Sequence, residues 1–175
     1  KNYFNMFNYL AELTVKSVIK RNNLDRQKKF LAWDHIEKIA LLVDGGTNIN
    51  KSALDKFIQK TNKHVEVYYI DLKAKEPLYN DWQCFSKKDQ SFLKLPKSKS
   101  IAELSRKKFD LVINTSTEFP LFSSCLTSNL VAYVKCGTEG YFDTVDLIVK
   151  KNEPFDLINY LEDVIKYLKM IRPAS

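Results

Sequence analysis

The sequence predicts an α/β fold, a three-layer sandwich with a mostly parallel sheet, preceded by an N-terminal amphipathic helix. Two observations predict it. Short apolar runs rich in β-branched residues recur along the chain, and segments with helical spacing of apolar residues separate most of them. Strands that alternate with helices form βαβ units, whose sheet is parallel and is covered on both faces.

The N-terminal region predicts a helix over residues 3–20, because apolar side chains recur there at intervals of three and four residues. They are Phe4, Phe7, Leu10, Leu13, Val18 and Ile19. We expect this stripe to pack into the core, and docking of a protein partner is the alternative. Residues 1–35 are predicted to form a basic helical extension, and residues 36–175 a single α/β domain.

Five apolar runs predict the strands. They cover residues 36–43, 64–71, 109–114, 130–134 and 145–149. Helices are predicted over residues 51–60, 99–107, 120–128 and 154–171. Ser98 is the expected N-cap of the second of these helices, Asn152 caps the fourth, and Pro120 lies in the first turn of the third. Residues 72–96 lack a sustained period, so we expect loops and one short strand there. The order of these elements is that of a Rossmann-like architecture.

Two loops are candidates for binding an anionic ligand, because each follows a predicted strand and precedes a helix at the carboxyl edge of the sheet. Their residues are Gly45, Gly46 and Thr47 in the first loop and Thr115, Ser116 and Thr117 in the second. Neither loop completes a known phosphate motif. A structural role is therefore favoured, in which the two glycines make a tight turn and Thr47 or Asn48 caps the next helix.

Catalytic and metal-binding patterns are sparse. The two histidines, His35 and His64, have no carboxylate or cysteine at useful spacing, so we expect no metal, no cofactor and no catalytic residue. An ordinary enzyme is disfavoured. The three cysteines have no CxxC spacing, which argues against a disulfide framework, and those at 125 and 136 are expected to be buried. With no apolar run of membrane-spanning length and no signal peptide visible in residues 1–20, a cytoplasmic protein without a membrane partner is expected.

Positive charge is concentrated in two segments. The chain carries 28 Lys and Arg against 21 Asp and Glu, a formal charge of +7. Residues 16–29 hold six basic and one acidic residue, and residues 87–108 hold eight basic and two acidic ones. The second segment lies beside Trp82, Phe85 and Phe92, and aromatic side chains next to lysines can stack on unpaired bases.

This layout predicts binding to RNA or to a ribonucleoprotein surface. The candidate phosphate contacts are Lys16, Lys20, Arg21, Lys28, Lys29, Lys87, Lys88, Arg106, Lys107 and Lys108. The alternative is that these lysines only solvate exposed faces of the fold, with the aromatic residues completing an edge of the core.

The order of motifs resembles a domain-of-unknown-function family of small cytoplasmic proteins from Bacteroidota. The pieces that carry the resemblance are FSKKD at residues 85–89, the opening of the strand at Phe109-Asp110, Asp146-Leu147-Ile148 and the KYL near the end of the chain. The resemblance implies an α/β fold and a cytoplasmic location. It implies no catalytic residue.

A second resemblance is to one Rossmann-like half of heptosyltransferase-type glycosyltransferases. There, too, a strand like FDLVIN precedes a polar loop, a helix and a strand like LVAYVKCG. It implies an alternative function, in which loops 44–48 and 115–118 bind a nucleotide, a sugar nucleotide or another anion. Only one such half is present in this sequence, and the partner half normally supplies the sugar-nucleotide site. A protein-interaction scaffold that uses the N-terminal helix is a further alternative.

Overall fold

A computed structural model describes residues 2–24, 26–45, 49–76, 78–139 and 143–171. The helices are α1 (Asn2–Leu24), α2 (Lys51–Thr61), α3 (Ser98–Leu104), α4 (Pro120–Asn129) and α5 (Leu157–Met170). The strands are β1 (Lys38–Asp44), β2 (His64–Ile70), β3 (Gln83–Phe85), β4 (Lys108–Asn114), β5 (Val131–Gly137) and β6 (Leu147–Ile148). Short 3₁₀ helices cover Trp33–His35 and Lys87–Asp89.

The six strands form one sheet in the order β3-β2-β1-β4-β5-β6, and every pairing is parallel. The α/β prediction and the Rossmann-like architecture are therefore confirmed. The central strands are almost continuously apolar, as expected for a sheet that is covered on both faces. None of the helices in the described part of the chain is long and apolar enough to cross a membrane.

Alternate residues of the central strand pack against different helices. Ile39, Leu41 and Val43 face α2 and α5, whereas Ala40 and Leu42 face α3 and α4. This period of two follows from the pleat of a strand, which points successive side chains to opposite faces. The three layers are thus α2 and α5, the sheet, and α3 and α4.

Helix α1 lies outside these layers and packs on α4 through Ala11, Val15 and Ile19. The predicted inward stripe is wrong for Phe7, Leu10 and Leu13, which are exposed. The reason is geometric, since the residues that contact α4 lie on the opposite side of α1 from Leu13. The side chain of Phe4 lies outside the described residues.

The N-cap residues differ from the prediction at three helices. Asp156 caps α5 by accepting from the backbone N–H of Asn159, so that Asn152 is not its cap. Lys97, not Ser98, is the N-cap position of α3. Pro120 is the first residue of α4, as predicted. Asn50 caps α2 through the N–H of Ala53, a role that we had predicted for Thr47 or Asn48.

Candidate functional site

The first candidate site lies where β1 and β4 are neighbours at the centre of the sheet. Chain connections leave these two strands in opposite directions, which opens a crevice at their carboxyl ends, the usual ligand position in such folds. Asp44 ends β1, and Asn114 ends β4 and leads into Thr115 and Ser116. The structure thus brings the two predicted ligand loops to one edge of the sheet.

The carboxylate of Asp44 fills the anion position of this crevice. It is 2% exposed and accepts hydrogen bonds from the hydroxyl of Ser116 and from the backbone N–H groups of Thr117 (2.5 Å) and Glu118 (2.8 Å). These are the donors that a loop before a helix offers to a phosphate. In this structure these donors are bonded to the carboxylate of Asp44.

The other described residues of the two loops have structural roles. Thr115 donates from its N–H and its hydroxyl to the carbonyl oxygen of Leu42, at 3.0 and 2.8 Å. At Gly45 an added Cβ would lie 2.5 Å from the Cβ of Asp71, so the close approach of two chain segments requires glycine. Gly46 and Thr47 lie outside the described residues.

Two lysines border the crevice. Lys151 donates to the carbonyl oxygen of Thr115 at 2.8 Å, and burial lowers the pKa of this lysine while nearby Asp44 opposes the shift. Lys73 forms an ion pair with Glu118. Both cations therefore have protein partners in the crevice.

The predicted basic residues divide between the two ends of the sheet. Lys87 and Lys88 follow β3 at the carboxyl edge, whereas Arg106 and Lys108 lie where β4 begins, at the amino edge. The side chain of Lys107 forms an ion pair with Glu66 on β2, in which Nζ lies 2.6 Å from Oε2. A single surface therefore does not contain all of the predicted contacts.

At the amino edge the basic segments from both parts of the chain meet. The side chain of Asn22, near the end of α1, donates to Ser128 at the end of α4, next to the start of β5. The backbone N–H of Lys29 donates to the carbonyl oxygen of Tyr133 on β5. We call the resulting group the basic edge; it comprises Arg21, Lys28, Lys29, Arg106 and Lys108. Lys16 and Lys20 extend it along the exposed side of α1.

Two of the three aromatic residues that were expected to stack on bases pack inside the protein instead. Phe85 is buried and Trp82 packs against Tyr79, so neither is free to stack on a base. Phe92 is 80% exposed but lies edge-on to Phe7, beside the N-terminal half of α1. Tyr133, which the sequence analysis did not single out, is 39% exposed at the basic edge.

A buried ionic cluster of Arg26, Lys135 and Asp146 lies beneath the basic edge. Asp146 accepts from the guanidinium of Arg26, from the backbone N–H of Lys135 at 3.0 Å and from Lys28 at 3.1 Å. Burial alone would favour the neutral acid, but these hydrogen bonds outweigh it and lower the pKa of Asp146.

Lys135 is the central cation of this cluster. Its ammonium group donates to the carbonyl oxygens of Thr127 (2.6 Å) and Ser128 (3.2 Å) at the end of α4. Burial, reinforced by the positive charges of Arg26 and Lys28 and opposed by Asp146, lowers its pKa to about 7. A lysine inside the apolar run YVKCG was the available sequence signal, since a buried lysine requires partners.

We expect the stability of the protein to rise between pH 7 and pH 9. There the unfolded chain retains the Lys135 proton and the folded chain releases it, so the free energy of unfolding increases by up to about 1.4 kcal/mol per pH unit. The lowered pKa of Lys151 also makes the free energy of unfolding increase with pH. Above pH 9 the buried thiols of Cys125 and Cys136, whose pKa values burial raises to about 11 and about 12, oppose the trend.

Urea unfolding at pH 7, 8 and 9 measures this slope. Lys135→Met should flatten it, whatever its effect on absolute stability. An equal slope in the variant and in the native protein would contradict the assignment.

Comparisons with known proteins give a family but no activity. No curated protein and no solved structure matches the chain. The model of a family of unknown function, DUF6913, matches residues 8–171, which include every strand and the residues of both sites. The chain therefore belongs to the family of unknown function DUF6913.

Proposed function

We propose that this protein is a non-enzymatic, cytoplasmic RNA-binding protein that contacts the phosphate backbone through its basic edge. The observation that carries the proposal is the gathering of exposed cations from two distant chain segments beside an exposed aromatic ring. Exposed lysines and arginines release counterions when they bind phosphates, and this release supplies most of the affinity for nucleic acid.

The charges at this edge are available for such contacts. Arg21, Lys29, Arg106 and Lys108 are exposed and form no ion pair with another described residue. Lys28 remains 52% exposed although it contacts Asp146. By contrast, Lys107 is held by Glu66, so we expect it to contribute little.

Tyr133 favours a single-stranded ligand. It lines a cleft of about 320 Å³ together with Lys108 and Arg26. Base stacking on an aromatic ring contributes about 1–3 kcal/mol per base and needs a base that is not already paired. A ring next to a row of cations is the combination that single-stranded RNA requires.

Fluorescence anisotropy with a labelled single-stranded RNA, measured over a range of salt concentrations, tests this function. The variant Arg106→Ser/Lys108→Ser should weaken binding and reduce the slope of log K against log salt by about 1.4, or about 0.7 per lost contact. The variant Lys87→Ser/Lys88→Ser removes the same charge at the opposite edge of the sheet and is the matched control. Equal effects of the two variants, or no binding at low salt, would refute the proposal.

The N-terminal half of α1 favours a second candidate, a scaffold that docks a protein partner. Met6, Phe7, Leu10 and Leu13 are exposed, and the ring of Phe7 contacts that of exposed Phe92. Such apolar patches commonly mark interaction surfaces. The variant Leu10→Ser/Leu13→Ser separates the two candidates. It should leave the affinity for RNA unchanged if the basic edge is the binding surface.

The crevice between β1 and β4 does not favour a sugar-nucleotide site. Among the residues described there, the hydroxyl of Ser116 and the backbone N–H groups of Thr117 and Glu118 are engaged by Asp44. Lys151 is engaged by Thr115, and Lys73 by Glu118. A phosphate would have to displace a buried carboxylate that already accepts three hydrogen bonds. The RNA proposal needs no such rearrangement.

A further inference from the structure

A cleft of about 190 Å³ opens at the amino edge of the sheet, between the end of α1, the turn before β4 and the end of α4. We call it the Arg26 cleft. Six of the eight residues that line it have polar side chains, namely Asn22, Arg26, Ser105, Ser128, Asn129 and Lys135. Ser105 is exposed at the cleft, whereas Lys135 and Ser128 are buried.

The guanidinium of Arg26 has hydrogen-bond donors that lack an acceptor among the described residues. Its side chain is only 6% exposed, and one nitrogen, Nη2, donates to Asp146. The other two nitrogens, Nε and Nη1, are buried and have no hydrogen-bond acceptor among the described residues. Buried donors of a charged group without an acceptor are costly, so such a group in a polar cleft indicates a ligand that accepts hydrogen bonds.

The charges around the cleft are also unbalanced. Two cations, Arg26 and Lys28, share one described carboxylate, Asp146, and the buried ammonium group of Lys135 forms no ion pair with a described residue. Burial is the main cause of the lowered pKa of Lys135, and the positive charges of Arg26 and Lys28 reinforce it. An anion in the cleft would offset this charge and accept from the free guanidinium nitrogens.

We infer that the Arg26 cleft binds a phosphate group, either as inorganic phosphate or as the terminal phosphate of a small phosphomonoester. A phosphate group is opposite in charge to Arg26 and to the neighbouring Lys28, and its oxygens would accept from the two guanidinium nitrogens of Arg26 that lack an acceptor. The cleft has room for it, since its volume is several times the roughly 30 Å³ that a water molecule occupies in the liquid. This site does not depend on binding of RNA to the exposed basic edge.

Calorimetric titration with sodium phosphate, against sodium chloride at matched ionic strength, tests the inference. We expect saturable binding of phosphate, weakened about tenfold or more in Arg26→Lys, which keeps the charge but has fewer donors. Arg21→Lys is the matched control, because Arg21 is exposed on α1 and does not line the cleft; it should bind phosphate like the native protein. Circular dichroism verifies that both variants are folded.

Two further titrations distinguish the sources of the phosphate and separate this site from the RNA surface. A ribonucleoside 5′-monophosphate should compete with inorganic phosphate, whereas the corresponding nucleoside should not. The variant Arg106→Ser/Lys108→Ser should still bind phosphate even if it has lost RNA. Absence of saturable phosphate binding, or equal affinities in Arg26→Lys and Arg21→Lys, would overturn the inference and leave the RNA proposal untouched.

Discussion

Replacement of Asp146 by alanine should lower the free energy of unfolding by about 3–5 kcal/mol. The carboxylate is the one described anion that contacts Arg26, and it also accepts from the backbone of Lys135. Its removal leaves the buried guanidinium of Arg26 without a described anion. Urea unfolding at constant pH measures the loss.

The variant Asp143→Ala is the matched control, because Asp143 is an exposed aspartate three residues away and forms no ion pair with a described residue. It should change stability by less than about 0.5 kcal/mol. Adding Arg26→Met to Asp146→Ala should recover much of the loss, since the double variant removes both charges of the pair. If Asp146→Ala resembles the control, the cluster contributes nothing to stability.

Replacement of Asp44 by alanine should destabilise the protein by about 3 kcal/mol. Its carboxylate is the acceptor for the Ser116 hydroxyl and for two backbone N–H groups, and hydrogen bonds to a charged group contribute about 1.5–3 kcal/mol each. Water that enters the crevice recovers part of that sum. Thermal or urea unfolding tests the expectation.

A smaller change at the same position in the network provides the control. Ser116→Ala removes a single donor and leaves the two N–H groups bonded to Asp44, so the expected loss is about 1 kcal/mol. Should both variants cost the same, the backbone donors would not depend on Asp44. The crevice would then remain a candidate ligand site.

The sequence was sufficient to predict the sheet because its strands are local apolar runs. FDLVIN at residues 109–114 predicts β4 to within one residue, and the alternation of strands and helices predicts parallel pairing. The order of the strands has no such local signal. It depends on which helix covers which face, as with Ala40 and Leu42 against α3 and α4.

The buried cluster could not be predicted, because it joins residues 120 positions apart. Arg26 looks like one more basic residue in a charged segment, and only the fold brings it to Asp146. The face of α1 was mispredicted for a related reason. The helix has apolar residues on more than one side, and nothing in its own sequence shows that Ala11 and Val15 contact α4 while Leu13 does not.

The position of α1 has a consequence for how the chain is made. This helix is synthesised before α4, but the surface that it covers belongs to α4, more than 100 residues later. Contacts so distant in sequence form late and slowly, and apolar segments that wait for them are prone to aggregate. Helix α1 therefore has no surface to pack on until α4 has been synthesised.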